Sequence, residues 1–249
     1  MIKPIEYFTG TLWNESCITT MTRMPENSVD LVVTDPPYGI NFISGKQKSN
    51  TRNNGKSNKR IANYFGKIIG DRSFNANFVL GVHRILKPNG AFYCFISWKH
   101  WNALCTVVEQ CNMNIKNMIV LNKSNHGQGD IKGTYAPKHE LVLFASKGRH
   151  LLCWPKRLND VIDVKVLYSG SVRNHPMEKR IDWITPFILA SSKKNDIVFD
   201  GFAGSGSVLI SAERLKRRWI GCEISANYCN VTEARIRKEF NAQDQTTIY

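Results

Sequence analysis

The sequence predicts an α/β protein built on a mostly parallel, doubly wound sheet, and three observations carry that reading. Short apolar runs alternate with segments of helical period, the pattern of parallel strands covered by helices on both faces. One run, Asp196-Ile197-Val198-Phe199-Asp200, passes into a glycine turn and then a helical stretch, as a strand does where backbone must approach a ligand at a helix N-terminus. Two further runs, near 116–122 and 140–146, are joined through Asn125-His126-Gly127-Gln128-Gly129-Asp130 with no helical pattern between them, which makes them antiparallel neighbours.

Taken in chain order, the first strand falls near 30–35, where Leu31-Val32-Val33-Thr34 is apolar on both faces. Phe74, Phe78, Val79, Val82, Ile85 and Leu86 then recur at helical spacing, and Lys87-Pro88-Asn89-Gly90 stops that helix before a strand near 90–97. The strands near 116–122 and 140–146 follow, and two more, near 196–200 and 218–224, flank the glycine turn. Two stretches stand outside this pattern and read as surface insertions in a single domain over 1–249: a basic loop at 44–60 and a segment at 147–174. No internal repeat is present.

A chain of 249 residues with 42% apolar residues can fill one large core. Lys and Arg outnumber Asp and Glu by 34 to 20, a net charge of +14 that attracts polyanions at long range and makes nucleic acid the leading partner. The 44–60 loop concentrates this charge in Lys46, Lys48, Arg52, Lys56, Lys59 and Arg60, with no acidic residue among them. Seven cysteines, at 17, 94, 105, 111, 153, 222 and 229, form no Cys-x-x-Cys pair, and several sit within apolar runs. Reduced thiols in a cytoplasmic protein are expected. The N-terminus lacks the apolar core of a signal peptide and no stretch is apolar for the eighteen or so residues a bilayer requires, so no membrane association is expected.

Three sites could carry chemistry. Asp35-Pro36-Pro37-Tyr38 closes the first strand, placing a carboxylate, a rigid carbonyl and an aromatic face at the sheet's mouth. An amine on an aromatic heterocycle has its lone pair delocalised into the ring and is a poor nucleophile until its two N–H bonds are oriented by acceptors. Asp35 can take one hydrogen and the Pro36 carbonyl the other, Pro37 removes a competing donor and fixes φ, and Tyr38 offers a stacking face worth about 1–3 kcal/mol per base. The second site is Asp200-Gly201-Phe202-Ala203-Gly204-Ser205-Gly206-Ser207, with Glu223 at the end of the next strand placed to accept ribose hydroxyls. A nucleoside cofactor is the natural occupant, although the glycines match neither the dinucleotide fingerprint nor a P-loop. The third is His175-Pro176-Met177-Glu178-Lys179-Arg180, ahead of an amphipathic stretch.

Together these residues resemble the amino-methyltransferase family of DNA methylases, in its permuted group where the catalytic tetrapeptide precedes the cofactor motif. Asp35 to Tyr38 match the family's Asp-Pro-Pro-Tyr, Phe202 to Gly206 its Phe-x-Gly-x-Gly, and His175 to Lys179 its His-Pro-x-x-Lys-Pro. Lys87-Pro88-Asn89-Gly90 and His139-Glu140 resemble internal landmarks, and Glu223 the ribose carboxylate. The resemblance covers most of the chain. It implies the Rossmann-like, S-adenosylmethionine-dependent methyltransferase fold, circularly permuted, with about seven strands and an antiparallel edge hairpin. It also implies S-adenosyl-L-methionine as cofactor, bound by Lys179, Asp200, Phe202, Ala203, Gly204, Ser205, Gly206, Ser207 and Glu223. The basic loop and a short target-recognition insertion at 147–174 would contact DNA, and a cognate restriction endonuclease is an expected companion. Nothing chooses between monomer and dimer.

The chain departs from the family pattern in places. Glu15-Ser16 stands where Gly-Asp is usual, so that Glu15 is left to substitute for the acid that contacts the cofactor adenine; Gly201, Ser207 and Arg180 replace Pro, Thr and Pro. The implied reaction is methylation of the exocyclic N6 of a flipped adenine, with no metal or covalent enzyme intermediate required. N4-methylation of cytosine poses the same problem to the same residues, but the family more often has Ser in the first position for that base. RNA or protein amide methylation, a DNA-binding module with a vestigial cofactor pocket and a nicotinamide oxidoreductase are the remaining alternatives.

Overall fold

The computed structural model describes residues 5–7, 9–37, 76–126, 132–153, 158–165 and 179–244. Within them the chain forms nine strands in one sheet and six α-helices. In chain order these are β1 (Ile5–Tyr7), β2 (Gly10–Trp13), α1 (Cys17–Arg23), β3 (Val29–Thr34), α2 (Ala76–Ile85), β4 (Leu86–Ile96), α3 (Trp101–Gln110), β5 (Asn114–Lys123), β6 (His139–Ser146), β7 (Val161–Val164), α4 (Ile181–Ser191), β8 (Ile197–Asp200), α5 (Ser207–Arg214), β9 (Arg218–Cys222) and α6 (Ala226–Asp244). The sheet order is β1-β2-β9-β8-β3-β4-β6-β5-β7.

The centre of the sheet is parallel, from β2 through β9, β8 and β3 to β4. Central parallel strands must be apolar on both faces, and β3 meets that demand: Val29, Leu31, Val32 and Val33 are all fully buried. Each contributes roughly 1.5–3 kcal/mol relative to exposure, so this run has no alternative location in the fold. Strand β4 shows the two covered faces directly. Phe92 meets Phe78 of α2 at 6.3 Å, while its neighbour Tyr93 stacks on Phe187 of α4 at 4.9 Å. Successive strand residues point to opposite faces, so α2 and α4 lie on opposite sides of the sheet.

β5 and β6 are antiparallel to one another, and β6 is antiparallel to β4, as the helix-free connection predicts. Three expectations are corrected. The sheet has nine strands among the described residues rather than about seven, because Ile5–Tyr7 and Gly10–Trp13 add a second antiparallel pair at one edge. The β5–β6 hairpin is not the edge: β7 pairs parallel with β5 and covers it. Thus the 147–174 segment is not wholly a surface insertion, since Val161–Val164 is a sheet strand and the Trp183 indole of α4 donates to the Lys165 carbonyl at 2.9 Å. Residues 154–157 and 166–174 of that segment lie outside the described residues.

Lys87-Pro88-Asn89-Gly90 ends α2 as expected, but it forms a bulge inside β4 rather than a turn before it. Val29 pairs with Leu86 and Leu31 already with Ala91, with Asn89 at φ 66° absorbing the extra residues. The Lys147 ammonium fastens this bulge, donating to Asn27 Oδ1 at 2.8 Å and to the His83 and Leu86 carbonyls at 2.8 and 2.9 Å. All seven cysteines are free thiols, five of them buried. No described helix is long and apolar enough to cross a membrane.

Candidate active site

In a doubly wound sheet, ligands bind beyond the carboxyl ends of the parallel strands. β3 and β8 are hydrogen-bonded neighbours there, with Leu31 opposite Val198 and Val32 opposite Phe199. Their ends are tied by side chains as well. The Thr34 hydroxyl donates to Asp200 Oδ1 at 2.8 Å, and the same oxygen accepts the Phe202 N–H at 3.0 Å. Asp200 is 2% exposed. Burial pushes its carboxyl up to about 7, the nearby Asp35 and Glu223 charges adding to the effect against these two hydrogen bonds.

The glycine turn follows Asp200. Gly204 and Gly206 adopt left-handed backbone, φ 53° and 79°, which glycine enters without penalty. A Cβ on Gly206 would lie 2.7 Å from Thr232 Cγ2, and the Thr232 hydroxyl in turn donates to the Gly204 carbonyl at 2.7 Å. Arg235 donates to the Ser205 carbonyl at 3.0 Å and to the Ser207 hydroxyl at 2.9 Å. Thus α6 clamps the turn from behind. Phe202 packs edge-on against Phe78 at 5.1 Å, and Ala203, Ser205 and Ser207 are buried.

Glu223 extends past β9 towards the turn. Its Oε2 accepts the Gly204 N–H at 3.0 Å and its Oε1 the Ser225 N–H at 2.8 Å. Burial raises its carboxyl above the ordinary range, while those two N–H groups hold it in place. Each carboxylate oxygen keeps a further lone pair, so a fixed acceptor stands beside a turn where backbone can approach a ligand closely. The chemistry of these residues fits a nucleoside cofactor such as S-adenosylmethionine: Glu223 could accept from ribose hydroxyls, and the Phe202–Ser207 turn lets backbone approach the rest.

Asp35 continues β3 beyond Thr34, with Pro36 buried and Pro37 half-buried behind it. Tyr38 lies outside the described residues, as do Lys46, Lys48, Arg52, Lys56, Lys59 and Arg60 of the basic loop and His175 to Glu178. Lys179 precedes Arg180, the N-cap of α4, and its ammonium lies 2.8 Å from Asp35 Oδ2 and 3.9 Å from Glu140 Oε2. Its backbone carbonyl accepts the Ser207 hydroxyl at 2.6 Å. The site is therefore assembled from β3, β6, β8, β9 and the residues before α4.

Several of these contacts have no counterpart in the sequence reading. The Lys179–Asp35 pair joins residues far apart in the chain, and Thr34, Thr232 and Arg235 sit outside the recognised motifs. Adjacency to Asp35 was the one available signal for Thr34. Glu15, expected as a substitute cofactor contact, accepts the Thr20 hydroxyl at 2.6 Å and pairs with Arg23, whose guanidinium lies 5.0 Å over the Trp13 ring. Ser16 is the N-cap of α1, accepting from the Ile18 N–H at 3.3 Å. Cys94 is buried and its thiol is pushed well above the ordinary range by desolvation, which leaves it inert. Among the described residues no group of three or more His, Cys, Asp or Glu side chains could hold a metal ion.

An acidic strand end beside a glycine turn, on a doubly wound sheet, is the setting of a nucleoside-cofactor site. The chain belongs to the DNA methylase family of N6-adenine and N4-cytosine amino-methyltransferases, whose model matches residues 29–234. It is 28% identical over 256 residues to the type II methyltransferase M.HpaI of Haemophilus parainfluenzae, spanning 92% of this chain and 74% of that one. It is also 28% identical over 234 residues to the type II methyltransferase M2.DpnII of Streptococcus pneumoniae, spanning 88% and 86%. Among solved structures it resembles the M1.HpyAVI–SAM complex, with a TM-score of 0.65, 20% identity and coverage of 91% and 99%. The cytosine-N4-specific PvuII DNA methyltransferase superposes with a TM-score of 0.67 at 17% identity, covering 94% and 92%. The protein is an S-adenosylmethionine-dependent DNA methyltransferase.

Proposed function

We propose that this enzyme methylates the exocyclic N6 of an adenine turned out of duplex DNA. The observation that carries the reading is the Asp35-Pro36-Pro37 segment closing β3 beside the Asp200–Ser207 turn. Asp35 accepts one N–H of the target amine and the Pro36 carbonyl the other, which draws the nitrogen towards tetrahedral geometry with its lone pair directed outward. Tyr38 stacks on the flipped base, and Asp35 is placed to take the proton that the amine gives up. S-adenosylmethionine, when bound, supplies an activated methyl group with its own leaving group. Positioning in a partly water-excluded site then provides most of the rate.

Asp, rather than Ser, in the first position favours adenine over cytosine. Phosphate contacts are expected from the 44–60 loop, and from the sheet's carboxyl end, where Lys99, Lys138 and Lys165 and the 68%-exposed Trp98 stand on the strand ends of β4, β6 and β7. The type II designation of the two relatives supports a modification role paired with an endonuclease.

The test is labelling of mixed-sequence DNA with methyl-labelled S-adenosylmethionine at low salt, beside an Asp35→Ala variant, followed by nucleoside analysis. Label in N6-methyladenine that disappears in the variant is the expected result. Label in N4-methylcytosine overturns the base assignment, and bound but unlabelled DNA favours a binding module.

A further inference from the structure

We infer that Lys179 is a positioning residue for Asp35, that Glu140 anchors Lys179 in turn, and that this pair, not a contact to the cofactor, is the function of the Lys179 ammonium. The inference rests on the reading in which Asp35 orients the target amine.

Lys179 is 8% exposed, and a buried ammonium must be paired. Its surroundings come from three strands: Asp35 beyond the end of β3 at 2.8 Å, Glu140 on β6 at 3.9 Å, and the Phe95 ring of β4, 5.2 Å from the ammonium. Glu140 accepts a second cation, Lys123 of β5, at 3.0 Å. The four groups alternate in sign, Asp35, Lys179, Glu140 and Lys123, and run from the acid of the tetrapeptide to the rim of the sheet. An acid required to receive an N–H needs a fixed direction, and an ammonium held on its far side by a second carboxylate supplies one.

The backbone supplies a second tie. The Ser207 hydroxyl donates to the Lys179 carbonyl at 2.6 Å, and Arg235 donates to both the Ser207 hydroxyl and the Ser205 carbonyl. The residue that orients Asp35 is thereby registered against the cofactor turn. Asp35 also stands close enough to Asp200 for its charge to help raise that carboxyl. Burial disfavours the Lys179 charge, but Asp35 and Glu140 outweigh it and raise its pKa.

The experiment compares Lys179→Met, Lys179→Arg and Glu140→Gln with the parent enzyme. Equilibrium dialysis with labelled S-adenosylmethionine reads cofactor affinity, and single-turnover methylation at saturating cofactor and DNA reads the rate across pH. In Lys179→Met the single-turnover rate is expected to fall about 100-fold, the cost of a misplaced reacting group, while cofactor affinity stays within about threefold. Lys179→Arg, which retains the charge, restores most of the rate.

The pH profile separates positioning from mere structure. The charged and titratable groups around the pair are Lys123 on β5, His139 and Glu140 on β6, Cys94 on β4, Asp200 on β8 and Glu223 after β9. Removing the Lys179 charge moves the acid limb to higher pH, and removing the Glu140 charge moves it to lower pH.

A cofactor affinity weakened about tenfold or more in Lys179→Met, with a parent-like rate at saturation, overturns the inference and returns Lys179 to the cofactor site. Acid limbs that move together, or not at all, also overturn it. If the parent labels cytosine, the base assignment fails while the positioning role stands, because both amines need the same acceptor. If the parent labels no DNA, the reading of Asp35 fails, and the dialysis arm still decides whether Lys179 serves the cofactor.

Discussion

Asp200 illustrates how a buried carboxyl can shape the stability of a site it does not serve as acid or base. Its pKa rises in the folded state from an ordinary 3.8 to about 7, so the folded protein retains the proton where the unfolded chain has lost it. Stability must therefore fall as pH rises from about 4 to about 7 and level off above, by at most about 4 kcal/mol from this group. Asp200→Asn keeps an oxygen for the Thr34 hydroxyl and the Phe202 N–H. It is expected to be more stable than the parent at pH 8, with the gain shrinking to nothing near pH 4 in urea titrations. A gain independent of pH would show that the carboxyl is not the source. At Gly206 the constraint is conformational as well as steric. Gly206→Ala should cost about 1–3 kcal/mol through its positive φ and the Thr232 methyl. Adding Thr232→Ser, which keeps the hydroxyl bond to Gly204, should recover the steric part in thermal melts and leave the backbone part.

The glycine at the start of β2 has a different purpose. A Cβ on Gly10 would overlap the indole of Trp219, which is buried on β9 and donates to Glu213 at 2.6 Å. Gly10→Ala is expected to lose about 1–3 kcal/mol by overpacking and to shift the tryptophan emission to the red; an unchanged spectrum would mean that β2 yields instead of the ring. β1, β2 and β7 are also the strands that the sequence reading missed, and the reason is physical. β3, β4, β6, β8 and β9 lie inside the sheet and carry apolar runs, whereas Ile5–Tyr7 and Val161–Val164 are short edge strands, the latter interrupted by Asp163. The same distinction applies to the site. Asp35, the glycine turn and Glu223 are local patterns and could be read as such. The salt bridge from Lys179 to Asp35 depends on β3, β6 and α4 meeting in space, and no local periodicity encodes it. Ser16, which looked like a missing acid, is explained by the helix that it caps.

For the molecule as a whole, a charge of +14 makes DNA binding a counterion-release reaction. Neutralising about five phosphates would give log K a slope near −4.5 against log salt, measurable by fluorescence anisotropy between 50 and 200 mM salt on the scale where such losses are large. Replacing Lys46, Lys48 and Arg52 with Ala should flatten that slope by about three. An unaltered slope would assign the phosphate contacts to other cations, with Lys99, Lys138 and Lys165 the next to replace.

The β3–β8 contact also has a consequence in time. β3 is complete at residue 34, but its neighbour β8 is not made until residue 200, and at ribosomal rates of about 5–20 residues per second that gap lasts roughly ten to thirty seconds. Throughout it, a strand whose Leu31, Val32 and Val33 are fully buried in the finished sheet has one flank without a partner, a ready template for pairing with another copy. The newborn enzyme thus passes through a sticky adolescence that the finished sheet conceals, and its yield in the cell should depend on chaperones and on translation speed between the two strands.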